Sequence, residues 1–269
     1  MQLAVNWSPE AAELFREGAV NFDIYKCSPW NELVEPANQQ LRAYVHFEVT
    51  LGTGQHDKWD FAEIEGWLKR TDTLVINSHI VPQRAQFGDD IAVDDLTAAL
   101  IAEVQKLVDH FGPERVIIEN APYQPRNIAK GYLIQGGEPA LFQAITSETG
   151  CGFLLDVAHA RLTSQTTGAD FKAYIAALPV HRLRELHITG LGTRPDGSFG
   201  DHMPMRDDDW PAAEWAFDQI RTGAWRTPDT MAFEYGGIGR LRERCGSERA
   251  AIAAALPRFQ HLIDTSVPT

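Results

Sequence analysis

RVIIEN at residues 115–120, GFLLDVAHAR at 152–161 and RELHITG at 184–190 decide the fold. In each, a run rich in Val, Ile, Leu or Phe leads to one chemically active residue: Glu119, Asp156 and His187. Aliphatic runs of this kind suit strands buried on both faces, and such strands belong to parallel sheets covered by helices. Similar runs lie at 3–6, 22–26, 43–49, 73–80 and 230–235, which with 115–120, 152–157 and 184–189 make a set of β/α strands. Helical patterns separate them. Ser8-Pro9-Glu10 offers an N-cap followed by a first-turn proline. Leu96, Leu100, Val104 and Val108 form a helical stripe over 94–111, stopped by Gly112-Pro113. Further helices are expected at 60–70, 138–149, 170–178, 210–222 and 248–264. This alternation predicts an α/β fold, a (β/α)8 TIM barrel occupying residues 1–269 as one domain. A doubly wound open sheet is the second choice, weakened because no GxGxxG is present.

Composition narrows the function classes. The 269 residues carry a formal net charge of −13, with 44% hydrophobic and 23% charged residues. That is the make-up of a globular protein rather than a disordered or fibrous one. The acidic balance counts against a nucleic-acid partner, which needs a concentrated basic face. Cys27, Cys151 and Cys245 are far apart and form no metal-binding spacing, so a reducing, cytoplasmic setting is expected. No apolar stretch approaches the roughly 18 residues of a membrane span, and residues 1–15 lack a signal-peptide pattern.

The chemistry collects at strand ends, where barrel enzymes carry their active sites. His46, His79, Glu119, Asp156, His187 and Glu234 end six successive strands, His159 follows Asp156, and Asp201-His202 lies in the loop beyond His187. Asp, Glu and His make up about one residue in six. Six consecutive hits would then arise by chance on the order of 1% of the time, given the barrel. Strand alternation turns Asn77 with His79, Ile117 with Glu119, Leu154 with Asp156 and Ala232 with Glu234 toward one side. Buried charges of this number need a compensating partner, and a divalent metal cluster supplies one. Imidazole and carboxylate without thiolate suit iron, zinc or manganese. Each residue also has an ordinary reading: His46 as a core histidine, Glu119 or Glu234 as an ion-pair partner, Asp156 as a helix cap. His110, His181 and His261 read as surface residues, and His56 as part of a solvated loop.

The ordered set IEN, LLDVAHAR, RELHITG, the DH pair and AFEYG resembles the xylose isomerase-like superfamily of metal-dependent barrels, which includes endonuclease IV and sugar isomerases. Within it the chain is most similar to multinuclear non-haem iron oxidases that modify cysteine-containing peptides. The resemblance implies a metal set of His46, His79, Glu119, Asp156, His159, His187, Asp201, His202 and Glu234, enough for two or three ions with iron favoured. Asp201 and His202 are adjacent here, where such relatives separate the pair by one residue, so the two side chains are expected to diverge. Glu119 and Glu234 are the candidate catalytic carboxylates, with Asn120, Tyr123 and Arg161 as substrate contacts and Arg206 as a further cation. The implied activity is an oxidase acting on a peptide or small thiol presented by a partner protein. The alternatives are a zinc- or manganese-dependent isomerase, epimerase or phosphoester hydrolase, and a metal-stabilised ligand-binding barrel.

Overall fold

The computed structural model describes residues 1–55 and 58–266; His56 lies outside them. Its strands in chain order are β1 (Gln2–Asn6), β2 (Ile24–Cys27), β3 (Ala43–Val45), β4 (Val49–Leu51), β5 (Ile76–Ile80), β6 (Val116–Asn120), β7 (Gly152–Asp156), β8 (Leu183–Ile188), β9 (Gly190–Thr193), β10 (Phe199–Met203) and β11 (Thr230–Phe233). The backbone contacts divide the chain into two units. The first comprises 1–46, 67–73 and 185–269; the second, 47–66 and 74–184.

In the first unit the strand order is β3-β2-β1-β11-β8, every pairing parallel. The register sets Ala4 beside Ile24 and Ala232, and Lys26 beside Asn6 and Tyr44. Ala4, Ile24, Tyr44 and Ala232 pack into one buried layer. Two of its four members are alanine, which leaves room for the tyrosine ring. The next inward position along each strand carries Asn6, Lys26, His46 or Glu234, so chemistry sits one step beyond packing. The helix Pro9–Arg16 follows β1, with Pro9 in its first turn and Ser8 Oγ accepting from Ala11 N at 3.1 Å.

In the second unit the order is β7-β6-β5-β4, again parallel, with His79 beside Glu119. The long stretch expected at 43–49 separates into β3 and β4. The reason is Asn77, whose side-chain amide takes both main-chain groups of Phe47, accepting at 2.6 Å and donating at 3.0 Å. The helix Val93–Phe111 buries Leu96, Leu100, Val104 and Val108, as the stripe requires, and Gly112 ends it at φ 87°. The helix Val157–Thr167 is expected only as the element Asp156 would cap, without bounds, because its C-terminal half, LTSQTT, is poor in strong helix formers. No helix among the described residues is long and apolar enough to cross a membrane.

Candidate metal centre

The first unit gathers a donor set at the ends of β3, β8 and β11. His187 is fully buried between two carboxylates: Nε2 is 2.7 Å from Glu185 Oε1, and Nδ1 is 3.2 Å from Glu234 Oε1. Tyr44 Oη donates to the same Glu185 oxygen at 2.7 Å. Lys26 Nζ lies 2.5 Å from Glu234 Oε1. The His46 ring is 5.1 Å from that of His187, and ligand atoms of His46, Glu185 and His187 all fall within 4.8 Å of one another.

Electrostatics follow from this crowding. Burial alone would push the Glu234 carboxyl up, but His187, Lys26, His202 and His46 together hold it well below the usual carboxylate range. Burial would push His187 down; the charge of Glu234, with the hydrogen bond and charge of Glu185, outweighs it against Lys26, and the imidazole titrates above its ordinary value. Burial, followed by the Glu185 charge, raises Tyr44 well above its usual value, so its hydroxyl stays a donor.

Asp201 and His202 part company here. His202 has φ 59°, the single positive φ outside glycine among the described residues, and the β9–β10 pairing shifts register between Gly200 and Met203. A bulge of this kind re-aims neighbouring side chains. His202 Nδ1 lies 3.2 Å from Glu234 O and 3.9 Å from Glu234 Oε2. The Asp201 carboxylate pairs with the buried Arg194 and lies 3.7 Å from Arg244. Only His202 of the two therefore lies beside Glu234.

The second unit holds its own set on β5, β6, β7 and the helix after β7. His79 Nε2 is 3.1 Å from Glu119 Oε2, and His159 Nδ1 is 3.5 Å from Glu119 Oε1. Asp156 divides its carboxylate between two tasks. Oδ1 caps the helix Val157–Thr167 by accepting from His159 N at 2.8 Å, while Oδ2 lies 3.5 Å from His159 Nε2. The ordinary reading of Asp156 as a cap and the metal reading thus both have an oxygen. His159 Nδ1 lies 2.8 Å from the Asn120 carbonyl oxygen. A carbonyl only accepts, so Nδ1 donates to it, and Nε2 is the ring nitrogen turned toward Asp156. This is how metal-ligating histidines are oriented, and the donor chemistry of both sets fits a divalent ion.

Asn120 braces the second set directly. Its Nδ2 donates to Asp156 O and its Oδ1 accepts from Asp156 N, each at 2.9 Å. Tyr123, expected to meet substrate, is fully buried and donates to Ile80 O at 2.7 Å. Its ring packs where Gly136 leaves space; a Cβ there would lie 2.2 Å from the tyrosine oxygen. Arg161 is partly exposed on the helix Val157–Thr167, and Arg206 is exposed. All three thiols are buried, with burial pushing Cys27 up to about 12 and Cys151 up to about 11, so none offers a ready thiolate.

Sequence reading missed Glu185, Lys26 and Tyr44. Glu185 precedes His187 by two residues, so strand alternation applied to RELHITG identifies it. Lys26 and Tyr44 sit inside short strands, and only the register links them to Glu234 and Glu185.

Comparison with known proteins places these sets in context. The family model for the RiPP precursor modification enzymes MbnB/TglH/ChrH matches residues 41–219. A UPF0276 protein of Caulobacter vibrioides is 30% identical over 139 residues, covering 48% of this chain and 46% of the relative, so the match spans about half the length of that protein. A UPF0276 protein of Bordetella parapertussis is 32% identical over 227 residues, covering 78% of this chain and 74% of the relative. Among solved structures, a xylose isomerase domain protein of Salmonella typhimurium superposes with a TM-score of 0.59 at 15% identity, covering 97% of each chain. The chain has the α/β, xylose isomerase-like TIM-barrel fold.

Proposed function

The chain belongs to the MbnB/TglH/ChrH family of RiPP precursor modification enzymes, and from that premise we propose that it is an iron-dependent oxidase acting on a cysteine-containing precursor peptide. The observation that carries the metal requirement is His159, whose Nδ1 is occupied by the Asn120 carbonyl while Nε2 faces Asp156 Oδ2 at 3.5 Å. His79, Glu119, Asp156 and His159 are the ligands proposed from the second unit, and His46, His187, His202, Glu234 and Glu185 those from the first. Asp201 enters only if it leaves Arg194. A bound divalent ion supplies Lewis acidity and, when redox-active, electron transfer to dioxygen.

The chain's own residues prepare that chemistry. Asn120 fixes the main chain of Asp156 and the tautomer of His159. Glu185 and Tyr44 hold the His187 ring, and Lys26 keeps Glu234 ionised and in place. Glu234 and Glu119 are the carboxylates proposed to hold or accept a proton during turnover. Arg161 is a proposed contact for an anionic group of the substrate. A partner protein is proposed to present the peptide, and the cytoplasm is the proposed setting, in keeping with the unpaired thiols.

Protein purified without oxygen and loaded with iron(II), then mixed with a cysteine-containing precursor peptide and dioxygen, tests this reading. The expected result is oxygen consumption with a change in peptide mass, both requiring iron. Turnover of sugars with zinc or manganese and no oxygen uptake would replace the oxidase with an isomerase or epimerase. Failure to take up any of the three metals would overturn metal dependence itself.

A further inference from the structure

Lys26 occupies an unusual place. It lies in the short strand β2, IYKC, where every residue is buried, and its own exposure is 7%. Its inward neighbour along the strand, Ile24, belongs to the apolar layer with Ala4, Tyr44 and Ala232. The lysine therefore rises from a packed floor, flanked in register by Asn6 and Tyr44, and reaches Glu234 Oε1 at 2.5 Å. The same oxygen is 3.2 Å from His187 Nδ1. A buried ammonium is retained only when it is paired and hydrogen-bonded. It has three donors and no lone pair, so it cannot ligate a metal.

We infer that Lys26 is the resident counter-ion of the first donor set, competing with a metal ion for Glu234 and weakening that set's hold on the ion. The inference rests on the metal reading given above. An ion approaching Glu234 Oε1 must share that oxygen with the ammonium or displace it, and it meets a like charge at short range. In return the lysine keeps the Glu234 carboxylate charged and oriented in metal-free protein, so the first set is assembled before any ion arrives. In the second set the carboxylates Glu119 and Asp156 face His79 and His159.

Zinc(II) titration against a competing chelator tests this, in a Glu119→Gln/Asp156→Asn background that disables the second set. Lys26→Met in that background is expected to tighten zinc binding by more than about tenfold, while Lys26→Arg binds like the background. Zinc is also expected to raise Tm more in Lys26→Met than in the background. If metal-free Lys26→Met does not fold, zinc-loaded Lys26→Met is compared with the background by chelator-driven release, and slower release is expected. Equal or weaker binding in Lys26→Met, or equal or faster release, overturns the role of Lys26 and leaves the metal reading intact. A background that binds no zinc overturns the metal reading of the first set, and Lys26 with it.

Discussion

In the first unit the buried carboxylates Glu185 and Glu234 are met by a lysine and a tyrosine hydroxyl as well as by imidazole. In the second unit Glu119 and Asp156 face His79 and His159, and an asparagine braces the backbone beneath them. Both solve the same problem, since an ionised carboxylate out of water needs compensation. The first unit uses the charge of a lysine ammonium paired at 2.5 Å. The second uses imidazoles. A lysine makes a set that is rigid without metal. Imidazoles make one that an ion completes.

The sharpest way to break this contrast is to remove one carboxylate from each unit in metal-free protein. Glu234→Ala strands a buried ammonium and should cost about 3–5 kcal/mol. Glu119→Ala takes a carboxylate from His79 and His159 rather than from a lysine ammonium, and should cost clearly less. Urea denaturation of both variants checks the difference, and equal losses would erase the distinction between compensation by lysine and compensation by imidazole. Asn120→Ala comes next. It removes two buried hydrogen bonds to the Asp156 main chain, which should cost about 2–3 kcal/mol. It should also weaken metal binding in the second set by roughly 10–100-fold, while binding by the first set is unchanged. Chelator competition separates the two effects.

The smallest effect belongs to Glu10, in the first unit. Glu10 is 2.6 Å from Arg242 Nη1 and accepts from Ser247 Oγ at 2.7 Å. Burial opposes ionisation, but these hydrogen bonds and the Arg242 charge prevail, and its carboxyl titrates below the ordinary value. Its contribution, under about 1 kcal/mol for a pair whose arginine is exposed, is therefore complete above the unfolded-state pKa. It fades as the pH falls through the folded value. Stability measured from pH 5 down to pH 3 should fall less steeply in Glu10→Gln than in the parent.

Much of this was legible in the sequence because parallel strands write their period plainly. Glu119, Asp156, His187 and Glu234 were found at strand ends because their aliphatic neighbours marked those ends. The strand at 43–49 was read as one because the Asn77 side chain that interrupts it lies thirty residues away. The parting of Asp201 and His202 was expected from their adjacency, while the backbone that directs it, a bulge and one left-handed residue, is recorded by no composition. Lys26 escaped because a lone cation in an apolar strand has no partner until the register is known. Tyr123 looked like a substrate contact from its position after β6, yet its hydroxyl is committed to Ile80 and its ring fills the space left by Gly136.

The most direct test is metal content by elemental analysis after anaerobic iron reconstitution, on the parent chain, Asp156→Ala and His187→Ala. The expected result is two or three ions per chain in the parent, from the number of candidate ligands, with at least one lost in each variant and the fold retained. Equal metal content in all three proteins, or none in the parent, would contradict the assignment of these two sets as metal ligands.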